Sequence, residues 1–541
     1  MRLRFDRKRR WDAAAQRSVV MGRREMVASS HHLATLAGYR TLAQGGNAVD
    51  AAMTMVSVLS VVEPHSVGLG GDAFALIYLS HEDRLVGMNA SGRAPRAATI
   101  DWFHQKGFRR MPERGILSVT VPGALHGWAE AVRRFGRRTL AENLQDAIRY
   151  AEEGFPVTEV IAGEWRHMET FLRTQKEASK VYLMGGKAPE PGQVFRNPDL
   201  AEALKTLARD GIEGFYGGTI GEAICRSSDD LGGLLSMEDL RAHTTTWVEP
   251  VSTDYRGYTV VELPPNGQGI TALQMLNILE GEDLSRLGPH HPDYLHLLIE
   301  AKKQAFADRD RHIADPRFED VPVGTLISKD YARRCLQRID RRRAQHPPAP
   351  LFPGSGSETV YVAAVDRQRN ACSFISSLFM PFGSGVVAEG TGILLQNRGS
   401  AFSLDPSHPN RLEPGKRPLH TIIPGMLFRE GGFLMAFGVM GGDMQPQGHV
   451  QFLVNLIDFG MNPQEAMDFP RVRHMNGMEV YLEEGIPEET VEELARRGHR
   501  ILREPTPVNQ VGGGQAILWD PARDVLLGAS DRRKDGCALG E

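Results

Sequence analysis

The sequence predicts a large mixed α/β protein in which helices cover buried strands, and three observations carry that reading. Strongly apolar strand-like runs lie at Ala73 to Leu79, Thr359 to Val365, Ala371 to Phe379 and Phe433 to Phe437. The stretch from Ala124 to Lys302 is largely helical between Pro/Gly punctuation, as a covering layer would be. The chain has 541 residues, of which 41% are hydrophobic, enough for an extensive core.

Composition excludes several classes. Lys and Arg total 63 against 67 Asp and Glu, a net charge of -4 with 24% charged residues, so no sequence-wide nucleic-acid footprint exists. Cys225, Cys335, Cys372 and Cys537 lack CxxC spacing, which argues against a zinc ribbon or disulfide framework and fits a reducing compartment. Residues 1–25 read as a basic tail: Met1 to Trp11 is not followed by the apolar stretch of a secretory signal, and a cytoplasmic location is expected. The longest apolar run, Ala48 to Val62, is interrupted by Asp50, Thr54, Ser57 and Ser60 and is short for a membrane span; it predicts a central core helix.

In chain order, Met26 to Ser30 predicts a short strand and Ala34 to Leu42 a helix ended by Gly45-Gly46-Asn47. The core helix Ala48 to Val62 stops at Pro64. Gly68-Leu69-Gly70-Gly71-Asp72-Ala73 matches a dinucleotide-binding pattern, but that fingerprint needs a strand before it and a helix after it. Here the order is reversed, so the segment is a glycine turn into the strand Ala73 to Leu79, with a second strand near Leu85 to Asn89. A β excursion follows at Thr253 to Val261, then a helix near Tyr294 to Asp308. His290, His291 and His296 have no H-E-x-x-H spacing, and no metal site is expected. Residues 341–357 combine a basic run with prolines, glycines and serines and form the most linker-like segment.

Beyond that linker, Thr359 to Val365, the polar turn Asp366 to Asn370 and Ala371 to Phe379 predict a hairpin. A three-residue loop would place Ser377 opposite Thr359, and a two- or four-residue loop would shift that partner by one. Arg369 is a poor residue for the left-handed position of such a loop. Cleavage before Thr359 would create an N-terminal residue with both a hydroxyl and a base; the plain alternative is a threonine opening an ordinary strand. Farther on, Gly441 and Gly442 precede a helix that begins near Pro446, carries Val450, Leu453, Val454 and Ile457 on one face, and ends at Gly460. Such a pair can present backbone N–H groups as an oxyanion hole, or it can be a tight turn with Asp443 near the N-cap.

These residues resemble the γ-glutamyltranspeptidase family of N-terminal nucleophile hydrolases, over nearly the whole chain after about residue 25. Gln44 to Ala52 contains the GGNAVDAA block, Leu69-Gly70-Gly71 the LGG turn, and Asp254 to Tyr258 the DYRGY motif. Phe382 to Gly385, Gly392 to Leu395, Lys416 to Leu419 and Gly528 to Asp531 continue the series in order.

The resemblance implies a four-layer αββα sandwich with a large helical contribution from the N-terminal part. It implies a precursor cut between Glu358 and Thr359 into a large part, 26–358, and a small part, 359–541, together forming one core; further association between copies is left open. Thr359 is then the nucleophile, Ser377 orients it, and Gly441 and Gly442 form the oxyanion hole. Arg93, Phe379, Arg398, His420 and Thr421 fall at positions that face the substrate, a small-molecule γ-glutamyl or related dicarboxylic acyl amide. Water or an amine accepts the acyl group, and no cofactor, nucleic acid or membrane enters.

The departures concern the substrate. The family's R-E-x-A-P motif reads Ser91-Gly92-Arg93-Ala94-Pro95, with the arginine displaced. Where strongly glutamyl-specific members carry Asn, Gln and Asp, this chain has Phe379, Arg398 and Ala401. Losing the amine-binding carboxylate removes the reason to demand an amino group, while Arg398 favours a second acyl carboxylate. A cephalosporin-acylase-like glutaryl amidase is the first alternative, and a non-catalytic binding protein the second. Residues 402–416 form a shorter lid loop than usual, which predicts an open pocket.

Overall fold

The computed structural model describes residues 17–347, 358–503 and 511–541. Two seven-stranded sheets lie at its centre. One runs, in spatial order, Val20–Gly22, Val525–Ser530, Gly514–Asp520, Gly432–Val439, Gly425–Arg429, Tyr258–Glu262 and Val251–Tyr255. The other runs Cys537–Gly540, Met26–Ser29, Glu358–Val365, Ala371–Phe379, Asp72–Leu79, Arg84–Ala90 and Thr246–Val248. Every pairing within the two sheets is antiparallel.

Strand alternation sorts the side chains into layers. Tyr361, Ala363, Val365 and Ile375 join Met426, Phe433, Ala436 and Ile517 in the core between the sheets. Their neighbours Val360, Val362, Ala364 and Phe374 point the other way, into a cluster with Val56, Leu59 and Trp128 of covering helices. On the outer face of the partner sheet, Leu427, Met435 and Leu518 pack with Leu276, Leu298 and Leu453 of three further helices. This is the expected αββα order. Both faces of each sheet are covered, which is why the central strands are apolar at consecutive positions rather than alternate ones.

The helix Ala48–Val62 has the bounds read from sequence. Asn47 caps it reciprocally with Asp50, and all fifteen residues are buried. Its Val and Leu side chains each contribute about 1.5–3 kcal/mol by leaving water. The hairpin turn meets it directly, because Ala48 N donates to Asp366 Oδ2 at 3.2 Å.

Three expectations are corrected. The tail is shorter than 1–25, since Val20–Gly22 pairs with Leu526 to Gly528 and Arg17 donates to the carbonyls of Ser530 and Gly536. The linker begins later than Arg341: Ala344 is buried with its N–H on the Arg497 carbonyl, while residues 348–357 lie outside the described residues. The helix after the glycine pair spans Met444–Ile457, earlier at both ends than expected, and is buried all round rather than on one face. It sits in the covering layer beneath other elements, so a one-sided pattern is not required of it. Among the described residues no helix is long and apolar enough to cross a membrane.

Candidate active site

The hairpin closes with a three-residue loop: Asp366 N donates to Asn370 O at 3.0 Å and Val365 pairs with Ala371. Arg369 takes the left-handed position, φ 64, despite its side chain. The cost is offset locally, as its guanidinium donates to the carbonyls of Arg23 and Arg24, each at 2.8 Å, and to Asp524 at 2.7 Å. Register then runs from Val365–Ala371 to Val360–Ser376, with a bulge beyond, between Glu358 and Val360. Thr359 Oγ1 donates to Ser377 Oγ at 3.2 Å, and Ser377 Oγ also accepts from Phe379 N at 2.8 Å. The two hydroxyls meet where the sequence placed them.

Gly71 allows this end of the hairpin to close. A Cβ there would lie 2.6 Å from the Ser377 carbonyl, so any other residue would push the neighbouring strand away.

Gly441 and Gly442 follow the strand Gly432–Val439 with φ of 119 and 58, conformations open to glycine. Among the described residues neither N–H donates to a protein acceptor. Two unspent donors ahead of a helix N-terminus favour an anion. Asp443 does stand at the N-cap, but it makes no capping bond; its carboxylate takes Arg309 Nη1 at 2.6 Å instead.

Phe379 holds φ 80, a strain of about 1–3 kcal/mol for such a residue. Its ring lies 3.9 Å from Arg398 Cζ. Arg398 is fully buried; Nη1 donates to Thr421 Oγ1 at 2.9 Å, and Nε stands 4.0 Å from Asp72 Oδ2. Its Nε and Nη2 have no hydrogen-bond partner among the described residues. Burial lowers its pKa to about 9, with Asp72 opposing. His420 accepts from Ile422 N at Nδ1, 3.4 Å, so Nε2 carries the proton and donates to Asp72 Oδ2 at 3.1 Å. Burial and the Arg398 charge push His420 down to about 4, and it is neutral.

Arg93 is engaged with the Gly415 carbonyl at 3.3 Å and Asp315 at 3.5 Å. Ala401 is buried and offers a methyl group; its carbonyl accepts from Asn410 at 2.6 Å. The backbone of Glu358 pairs with Phe379. Among the described residues the open pocket expected from the lid loop is not seen. Phe402, Leu404 and Leu412 pack against Phe103 and Met111, and Thr359, Ser377, Arg398 and His420 are all buried.

Sequence reasoning missed three residues. Asp72, first residue of its strand, accepts from Gly92 N at 2.7 Å as well as from His420. Gln268 Nε2 donates to the carbonyls of Thr421 at 2.7 Å and Gly442 at 3.0 Å, clamping the two walls together. Arg309 Nη1 holds Gln268 Oε1 at 2.8 Å. The only local signal was position: an acid ending a glycine turn, and a glutamine in a turn before a helix.

His296, Glu300 and His499 bring donor atoms within 4.8 Å of one another. The two imidazoles bond each other at 2.8 Å through His296 Nδ1 and His499 Nε2, and Glu300 takes Lys303 Nζ at 2.7 Å.

Behind the glycine pair, Asp531 accepts from Gly514 N at 3.0 Å, Arg471 at 2.6 Å and Arg533 at 3.0 Å. Burial alone would raise its pKa, but the two guanidiniums take it from 3.8 to about 2. A depressed folded-state pKa adds stability above the unfolded value, lost as pH falls through the folded one. The melting temperature should therefore drop between about pH 4 and pH 2, and Asp531→Asn should shrink that acid-dependent fall. An unchanged slope in the variant would refute the assignment.

Comparison with known proteins shows the family. A family model described as Gamma-glutamyltranspeptidase matches residues 34–541. The glutathione hydrolase-like YwrD proenzyme of Bacillus subtilis (strain 168) is 39% identical over 96% of this chain and 99% of its own length. The acylase ACY 1 proenzyme of Pseudomonas sp. (strain SE83) is 37% identical over 97% of this chain and 95% of its own. The crystal structure of cephalosporin acylase from Bacillus halodurans superposes with a TM-score of 0.92 at 42% identity, covering 100% of this chain and 99% of that one. The chain is an enzyme that belongs to the γ-glutamyltranspeptidase family.

Proposed function

We propose that this chain is a self-cleaving N-terminal-threonine amidohydrolase that removes dicarboxylic monoacyl groups, glutaryl or γ-glutamyl, from amines. The observation that carries the substrate class is Arg398, a buried guanidinium beside Thr421 and Phe379 whose Nε and Nη2 make no hydrogen bond among the described residues. A buried cation so poorly matched is expensive, and a planar carboxylate is what its fork fits. With Ala401 where a carboxylate would hold an amino group, a plain dicarboxylic acyl chain serves as well as a glutamyl one. Relatives named both acylase and glutathione hydrolase-like proenzymes support this reading.

In the proposed chemistry, Thr359 Oγ attacks the Glu358 carbonyl and the C–N bond between the two residues breaks, which moves the acyl group onto oxygen and frees the threonine amine; water then hydrolyses that ester, releasing the Glu358 carboxylate and the Thr359 hydroxyl. That amine, with a reference pKa of about 7.7–8.0, is then the general base. Ser377 Oγ fixes the hydroxyl, the N–H groups of Gly441 and Gly442 take up the oxyanion charge, and an acyl ester forms on Thr359 as the amine leaves. Water attack completes the cycle; hydrolysis is favoured over transfer to a second amine.

Denaturing electrophoresis with N-terminal sequencing should show a fragment starting at Thr359. A panel of glutaryl, γ-glutamyl and uncharged acyl anilides should show activity on both acidic acyl groups and little on the uncharged one. Activity confined to γ-glutamyl amides would refute the reading of Ala401, and an uncut, inactive protein would favour a binding role.

A further inference from the structure

A cleft of about 510 Å³ is bordered by Asp443, the residue after Gly442, and by Arg309. The acyl-side residues Arg398 and Thr421 meet Gln268 through the Thr421 carbonyl, whereas Arg309 and Asp443 meet the same glutamine from the cleft side. Lys302 and Arg311 line this cleft too. The two are unlike the other cations there. Lys303 pairs with Glu300 at 2.7 Å, and Arg309 pairs with Asp310 at 2.8 Å and Asp443 at 2.6 Å.

Lys302 is buried, yet it has no carboxylate within ion-pair distance among the described residues. Nζ donates to His474 Nδ1 at 2.9 Å and to the Met475 carbonyl at 3.3 Å, and stands 4.0 Å from the Phe306 ring centroid. His474 cannot supply charge, because its Nε2 proton is given to the Gly477 carbonyl at 2.9 Å and burial keeps the ring neutral. Burial brings Lys302 itself down to about 7. Arg311 is exposed at the same cleft and makes no ion pair among the described residues. Asp443 and Asp310 act on this ammonium from beyond contact distance, and its direct partners among the described residues are neutral, so it gains from an incoming anion.

We infer that this cleft seats a carboxylate on the leaving amine, held by Lys302 and Arg311, so that preferred substrates are amides whose amine half is itself an anion. The inference rests on the amidohydrolase reading above and extends it from the acyl half to the other side of the scissile bond. Small acidic aminobenzoates and amino acids have the right chemistry.

The test uses the purified, self-processed protein and two coloured amides of glutaric acid, one with 4-nitroaniline and one with 5-amino-2-nitrobenzoate. Wild type should favour the carboxylated amide, and Lys302→Met, an uncharged substitute of similar length, should cut that preference by about tenfold. Arg311→Gln, on an exposed side chain, should lower it in the same direction. Equal losses on both amides would mean that Lys302 only supports the fold, and an unchanged preference would overturn the proposal. Equilibrium dialysis of 5-amino-2-nitrobenzoate alone separates the two readings. Binding that weakens in Lys302→Met upholds the cleft even if neither amide is hydrolysed; no binding to wild type rejects it even if both are.

Discussion

Thr359→Ala should yield a single full-length chain with no measurable amidase activity, a loss of at least about 10⁴-fold. The side chain is buried and its one described bond, to Ser377 Oγ, is between neutral hydroxyls, so the variant should fold. What disappears is the hydroxyl adjacent to the Glu358 carbonyl along the chain, and with it both the first acyl shift and the later attack on substrate. Thr359→Ser keeps the oxygen and should still cleave, more slowly, because the β-methyl that restricts the rotamer is gone. Electrophoresis over time decides the matter: two fragments from the alanine variant, broken between Glu358 and Thr359, would remove Thr359 from its role.

Arg398→Met should separate maturation from turnover. The cleavage machinery is untouched, so two fragments should form as in wild type, while kcat/KM for glutaryl amides should fall by about 10²–10³, the worth of a desolvated bidentate pair. Stability should move the opposite way. Removing a buried cation whose Nε and Nη2 make no hydrogen bond among the described residues, and which meets Asp72 only at 4.0 Å, relieves a desolvation cost larger than that one long ion pair returns, and the melting temperature of the ligand-free protein should rise. Loss of activity together with loss of stability would point to a structural arginine, and unchanged kinetics would dismiss it from the acyl pocket.

How much of this was legible in the sequence depended on whether the signal was local. The capped helix Ala48–Val62, the three-residue hairpin loop and the meeting of Thr359 with Ser377 all follow from neighbours along the chain or across one turn. Asp72, Gln268 and Arg309 do not. Each is a polar residue with an ordinary local role, at a strand start, in a turn and late in a helix, and only the packing of two sheets brings them to Gly442 and His420. Asp443 illustrates the same limit: its local pattern is that of an N-cap, but a distant guanidinium competes for the carboxylate and wins. The tail boundary failed for the same reason, since three residues of basic, polar surroundings acquire strand structure only against Leu526 to Gly528.

The strand that begins at Glu358 lies inside its sheet, between Met26–Ser29 and Ala371–Phe379, and both sheets draw strands from before and after Thr359. A scission there would free a chain end that cannot fray, and would leave two polypeptides woven through each other without a covalent tie. Such a pair is held by a kinetic barrier rather than by a reversible equilibrium. Once fully unfolded, the halves would have to find each other as separate molecules, threading interleaved strands that first assembled as one continuous chain. Heat or denaturant should therefore inactivate the matured protein for good, while the uncut Thr359→Ala chain keeps the ability to refold.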